Sequence, residues 1–356
     1  MKIAMVTWFY PPDIHGGGEI SCKLLVDNLR KKGHEVDVFV LDKVFPGIKS
    51  KIHLNIKAYD YLDERLDGYD IVHSYNMSLL PCVGQLTKHK DINSIATLNG
   101  IVFSPSMSTY NNKIISPKFY RNKLLLKSIK NIKHFITPFV VFRDNWIKDG
   151  IPEDKIEVIP TMRDDSFVSS KKKENSDRLE LLYIGNYSDT KKKEIDLVFK
   201  VFSFLYYKKI HLTVVGDGKD KFEELRKKYG IDNNITIVGK VCYENISDVY
   251  SGKDILVYPT EQPKVADRVV YEAIENGLSF VAHGNDYYSS VFKNGEDGIL
   301  YHPIHLRNIY DGVEFFYSNR NKIKEMNKSA KIKLDTKLSQ DVITEKIIEK
   351  YKEVLN

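Results

Sequence analysis

Cysteine is scarce in this chain of 356 residues: Cys22, Cys82 and Cys242 stand far apart, with no C-x-x-C among them. That spacing excludes a cysteine-based zinc site and fits a reducing compartment. Long apolar runs are absent too, and no stretch approaches the ~18 uninterrupted apolar residues of a membrane span. The opening MKIAMVTWFYPP carries one Lys and a short apolar run that stops at Pro11-Pro12. It is too short for a signal peptide and reads as a first strand, so a cytoplasmic location is expected. Low-complexity tracts are missing, and with 42% hydrophobic residues the chain can build two cores. Its length suits two domains of roughly 150 to 180 residues. The G-x-G-x-x-G dinucleotide fingerprint does not occur, which argues against a nicotinamide enzyme.

Acidic residues are missing from one place. Residues 113 to 134 hold Lys113, Lys118, Arg121, Lys123, Lys127, Lys130 and Lys133 without a single acid. The net charge of +6 is therefore a local patch on a nearly neutral chain. Lys123, Lys127 and Lys130 recur at i, i+4 and i+7, with Leu125, Ile129 and Ile132 opposite, which is the pattern of a basic amphipathic helix. Two readings stand: a solvated helix packing its apolar side on its own domain, or a surface for anionic lipid or an anionic lipid-linked acceptor. Nucleic acid is not expected, because Phe119 and Tyr120 are the only aromatics available for stacking.

What is present is an alternation of β-branched runs with helical patterns. KIAMVTWF, EVDVFVLD, DIVHSYN, SIATLNG, HFITP and KIEVIP read as strands of a parallel, doubly wound sheet. The pattern restarts with LELLYIGN, IHLTVVGDG, ITIVGKV, DILVYP and LSFVAHG. The expected organisation is an N-terminal Rossmann-like domain over 1–168, a polar linker over 169–178 and a second Rossmann-like domain over 179–333. A charged helical tail covers 334–356. Two such domains facing across a cleft would present strand ends and helix N-termini to a ligand.

The loops at those strand ends carry the candidate chemistry. Gly16, Gly17 and Gly18 lie between the first strand and a helix, where glycine allows a ligand to come close or serves a turn with positive φ. Gly185 ends a strand, and Lys191 follows at the next helix start, well placed to neutralise a diphosphate. Lys192 and Lys193 read as solvated. Gly216-Asp217-Gly218 ends another strand in a tight turn. In PKVADRVVYEAIENG, Asp267 is a candidate cap for a helix opened by Arg268 and Val269, whose first-turn amides suit a phosphate. Glu272 on that helix is a candidate acceptor for a ribose diol, or else an ordinary surface Glu.

In order and spacing these stretches resemble the family 4 glycosyltransferases of GT-B fold, over nearly the whole chain. MKIAMVTWFYPPDIHGGGE, KKGHEVDVFV, YDIVHSYN and DKIEVIP are similar to the family's N-terminal landmarks. YIGNYSDTKK, VVGDG, ITIVGKV and RVVYEAIENG are similar to its donor-domain series. The resemblance implies a retaining transferase that uses a nucleotide-diphosphate sugar, with a C-terminal helix crossing back to the N-domain. It implies diphosphate binding by Lys191, ribose binding by Glu272 and a Gly-rich loop facing the donor phosphates. Three positions depart from the pattern. Asn186 stands for the usual Arg, Lys264 for the first Glu of E-x7-E, and Asn99 for a frequent His. Losing a charged hydrogen bond at 186 is worth about 1.5–3 kcal/mol. Lys264 is a candidate to compensate, by meeting the diphosphate or an acidic donor sugar such as a uronate. In a slipped register Glu261 would reach the sugar instead. No D-x-D motif occurs, so metal-independent chemistry is expected, with no cofactor and with Lys191, Asn99 and Lys264 as catalytic candidates. Many enzymes of this family work at the inner face of the membrane, which suits a peripheral location. The alternatives are a non-catalytic homologue that binds glycan or protein, and a nucleotide-sugar epimerase of the same fold.

Overall fold

The computed structural model describes residues 1–13, 17–47, 51–99, 129–164, 177–189, 191–242, 245–260 and 268–356. Contacts divide the chain into two compact units, Met1–Met162 with Gln340–Asn356, and Arg163–Ser339. Of the expected 169–178 linker, residues 169–176 lie outside the described residues.

The first unit is built on one six-stranded parallel sheet. Its strands are β1 (Lys2–Thr7), β2 (Glu35–Val40), β3 (Ile71–Ser74), β4 (Asn93–Thr97), β5 (His134–Thr137) and β6 (Ile156–Val158). They are ordered β2-β1-β3-β4-β5-β6. β1, β3 and β4 are buried almost end to end, as strands covered on both faces must be. The strand expected over EVDVFVLD stops at Val40, because Leu41–Val44 closes a helical turn with Leu41 in the core. Helices α1 (Gly17–Lys31), α2 (Lys51–Asp63), α3 (Leu80–Lys90) and α4 (Val140–Lys148) connect the strands.

The second unit repeats the plan with β7 (Leu179–Ile184), β8 (Ile210–Val215), β9 (Ile235–Gly239), β10 (Ile255–Tyr258), β11 (Ser279–His283) and β12 (Ile299–Tyr301). Their order, β12-β11-β10-β7-β8-β9, is again wholly parallel. β12 has only three residues and a Gly-Ile boundary, too little for the sequence pattern to announce it. The helices are α5 (Lys192–Leu205), α6 (Lys219–Tyr229), α7 (Arg268–Glu275), α8 (Asp286–Val291), α9 (Leu306–Ser318) and α10 (Asn321–Lys337). Phe199, Phe202 and Phe222 fill the space between α5, α6 and the sheet, with the Phe199 and Phe222 rings stacked. The tail is two helices, α10 and α11 (Gln340–Leu355), and α11 belongs to the first unit.

The strand order matters for function. In the second sheet the winding direction reverses at β7 and β10, which pair directly. Such a switch point opens a crevice at the carboxyl ends of the strands. The loops that follow β7 and β10 are the ones carrying Asn186, Lys191 and Arg268.

Candidate active site

On the β7 side, Gly185 leaves the strand and meets the turn after β8. Asn186 Oδ1 accepts the Asp217 amide at 2.9 Å, and the Tyr187 amide donates to the Asp217 carbonyl at 2.8 Å. Asn186 thus ties the two loops together. A carboxamide does here what a guanidinium cannot, because Arg carries no acceptor. Gly216 has φ +148°, and a Cβ there would sit 2.1 Å from the Gly185 carbonyl oxygen. Gly218 (φ +96°) would meet the Tyr187 side chain at 2.5 Å. Backbone faces backbone at Gly216, so nothing can move aside cheaply. Gly216→Ala is expected to cost about 1–3 kcal/mol through strain, read as a lower urea midpoint for the second unit.

Lys191 occupies the N-cap position of α5, half-buried, with its amide bonded to the Ser188 carbonyl at 3.0 Å. Lys192 and Lys193 are exposed, as the solvated reading requires. No carboxylate among the described residues pairs with the Lys191 ammonium. Its charge therefore adds to the free amides of the helix start, a combination suited to an anion.

On the β10 side, the residues from 261 to 267 lie outside the described residues, and with them Glu261, Lys264 and Asp267. α7 starts at Arg268, with Val269 half-buried behind it. Glu272 is not a surface residue: it is 8% exposed. Its Oε2 accepts from the Tyr250 hydroxyl at 2.8 Å, and its Oε1 lies 3.6 Å from Arg268 Nε. Burial pushes the Glu272 carboxyl above the usual range, while Arg268 and the Tyr250 bond pull it back. A carboxylate offers about four lone-pair sites, so these contacts leave room for further donors. Tyr250, at the end of a short helix over Ser247–Tyr250, was not expected, and its contribution is visible only once the fold brings it beside α7.

The same pocket holds a second unforeseen group. Arg163, Asp164, Arg268, Tyr271, Glu272 and Glu275 line it. Asp164 Oδ2 lies 3.5 Å from Arg268 Nη2, and Arg163 contacts Glu275 and, at 2.6 Å, Asp335. The only trace of this in the sequence is the opposite-charge pair Arg163-Asp164 before the polar stretch.

The first unit gathers its own candidates. Gly17 and Gly18 lie exposed in the first turn of α1, and Gly18 does not take a positive φ. A Cβ on Gly18 would meet nothing within 4 Å. No turn conformation requires glycine at position 18, whereas Gly16 lies outside the described residues. Asn99 lines a shallow cleft beyond the ends of β3 to β6, with Tyr75, Thr97, Pro138 and Thr161. Beside it, buried His73 bonds Thr97 Oγ1 at 2.7 Å and the Tyr351 hydroxyl of α11 at 2.6 Å. Burial drives the His73 imidazole down to about 3, so it stays neutral. In the basic block, Ile129 and Ile132 are fully buried and Lys130 is exposed. Arg121, Lys123 and Lys127 lie outside the described residues. No described helix is long and apolar enough to cross a membrane.

Two wholly parallel α/β units with ligand-facing loops at their strand ends fit the GT-B fold. Residues 164–333 match the family model of glycosyl transferases group 1, and residues 15–167 match that of glycosyltransferase family 4. The chain belongs to this glycosyltransferase family. It is 24% identical to the uncharacterized glycosyltransferase MJ1607 of Methanocaldococcus jannaschii, with 99% of this chain and 98% of that protein aligned. Among solved structures it is similar to a glycosyltransferase from Rickettsia africae, with TM-score 0.79 and 18% identity over 100% of this chain and 98% of that one. It is also similar to Anabaena Alr3699/HepE in complex with UDP and glucose, with TM-score 0.73 and 16% identity over 99% and 100% of the two chains.

Proposed function

We propose that this glycosyltransferase moves a sugar from a nucleotide-diphosphate sugar to a glycan or lipid-linked acceptor, with retention of configuration and without a metal. What supports the reading is the switch point of the second sheet, where β7 and β10 pair directly and the chain after them leads to Lys191 and to the α7 residues Arg268 and Glu272. In this reading the diphosphate lies against the N-termini of α5 and α7. Lys191 meets the charge that grows on the leaving group as the anomeric C–O bond breaks. Preorganised charge of this kind is usually the largest catalytic term. Glu272, held by Tyr250, accepts the ribose hydroxyls. Asn186 sets the loop that carries Lys191 and does not itself replace the missing Arg charge; that role falls to Lys264. Asn99 lies on the acceptor side. The buried, hydrogen-bonded state of Glu272 speaks against a decayed remnant, since a carboxylate without a task is costly to bury.

The test is a thermal-shift screen with nucleotides and nucleotide sugars, followed by product analysis. A donor at 100 times its Kd is expected to add about 2.7 kcal/mol of stability. Transfer to an added acceptor, with the anomeric configuration kept by NMR, supports the reading. Turnover of the donor alone would favour an epimerase, and no shift with any nucleotide would favour a binder.

A further inference from the structure

The amino ends of the strands in the second sheet carry a surface that the donor site does not use. α5 starts at Lys191 and runs back along the sheet for 14 residues, roughly 21 Å. The turn beyond it meets the first residue of β7, where the Leu179 amide donates to the Lys209 carbonyl at 2.8 Å. Phe204, Tyr206 and Tyr207 stand at this end and are 48%, 50% and 69% exposed. Among the described residues they are the only large aromatic side chains left exposed. The Tyr206 and Tyr207 rings lie 6.4 Å apart, edge to face. Lys208 Nζ sits over the Tyr207 ring at 5.9 Å and over the Tyr317 ring of α9 at 4.8 Å. Tyr310 of α9 joins them: desolvation, and then the neighbouring Tyr207 hydroxyl, raise its phenol above the ordinary value. Arg307 lies over the Tyr310 ring at 5.7 Å. Both cations are paired, Lys208 with the two Glu314 oxygens at 2.6 and 2.5 Å and Arg307 with Asp311 at 2.9 Å.

Exposed aromatic groups that cluster mark an interaction site, and the chemistry of this cluster points to the kind. An anionic membrane is drawn by uncancelled positive charge, and here Glu314 and Asp311 cancel the field of Lys208 and Arg307. A stable protein interface is depleted of charge at its centre, whereas the Lys208–Glu314 pair sits among the rings. An uncharged sugar fits both features. Its C–H face lies against an electron-rich ring, and its hydroxyls donate to carboxylates and accept from ammonium and phenol groups. We propose that Tyr206, Tyr207, Tyr310 and Tyr317, with the Lys208–Glu314 pair, form a platform that binds a neutral oligosaccharide apart from the donor site. The choice of a sugar rests on the reading above that the acceptor is a glycan. A long acceptor held on the platform has a raised effective concentration at the transfer site, and a chain too short to span roughly 20 Å does not.

Affinity electrophoresis of the full chain through gels holding dextran, mannan or galactan, with polygalacturonate as the anionic control, tests this. At least one neutral polysaccharide is expected to retard the protein, with or without added nucleoside diphosphate. The double variant Tyr206→Ser, Tyr207→Ser is expected to weaken that retardation by roughly ten-fold, the scale of losing aromatic contacts. Its melting temperature is expected to stay unchanged, because both side chains are exposed. Tyr207→Phe keeps the ring and is expected to keep most of the retardation. Retardation by none of the neutral polymers, by polygalacturonate alone, or undiminished in the double variant would overturn the proposal. So would a double variant that loses self-association or binding to phosphatidylglycerol vesicles and behaves normally on the neutral gels, which would give the patch to a second copy or to a membrane. The donor-site reading fails separately. No thermal shift with any nucleotide, beside retardation that needs Tyr206 and Tyr207, would remove that reading and leave the platform.

Discussion

Glu275→Leu is expected to destabilise the second unit by about 3–5 kcal/mol, the cost of leaving a buried partner charge uncompensated. The Glu275 side chain is 3% exposed and contacts both Arg163 and Lys331. The two cations do not suffer equally. Lys331 is 35% exposed and has Asp335 at 3.6 Å, so it can turn to water. Arg163 is 8% exposed, and Asp335 lies 2.6 Å from it as well. The double variant Arg163→Met, Glu275→Leu is expected to recover much of the loss, since removing both partners of a buried pair is far milder than removing one. The readout must be local to the unit. Trp8 and Trp146 both lie in the first unit, so tryptophan fluorescence follows the wrong half of the chain. Hydrogen exchange across α7 and α10 reports the right one. A loss below about 1 kcal/mol would mean that water reaches Arg163 in the variant.

Lys191→Met is expected to lower kcat/KM by roughly 10²- to 10³-fold, the scale seen when one donor to a developing charge is removed. Folding stability is expected to change by less than about 0.5 kcal/mol. The contrast with Glu275 is physical. Lys191 is half-buried at a helix start and pairs with no carboxylate among the described residues, so its removal strands no partner. What is lost is the one ammonium at the amino end of α5 that is not fully solvated. Lys192→Met and Lys193→Met are the controls: both side chains are exposed, and each is expected to change the rate by less than about threefold. Steady-state transfer assays paired with melting temperatures separate the outcomes. Equal losses at all three positions would mean that a diffuse cationic surface, not Lys191 itself, meets the leaving group.

The sequence alone was enough to establish the two-unit α/β plan. Parallel strands buried on both faces must read as continuous β-branched runs, and glycine must appear where the backbone turns back or lets another chain segment pass. The same reasoning located the loops after β1, β7, β8 and β10, because ligand-facing loops follow the strand ends. It also named Lys191, at the start of α5, and Glu272, on α7, among the candidates for binding the donor. Tertiary structure decided the rest. Glu272 read equally as a surface carboxylate until α7 placed it beside Tyr250, 22 positions earlier in the chain. Asn186 read as a lost cation until its side-chain oxygen met the Asp217 amide, 31 positions later. Nothing in the sequence analysis marked Asp164, which the fold lays against Arg268, 104 positions away. Burial patterns and turn chemistry are local and leave their mark on neighbouring residues. Ion pairs and hydrogen bonds between distant segments depend on where the sheet order brings those segments, and no short stretch of sequence records that.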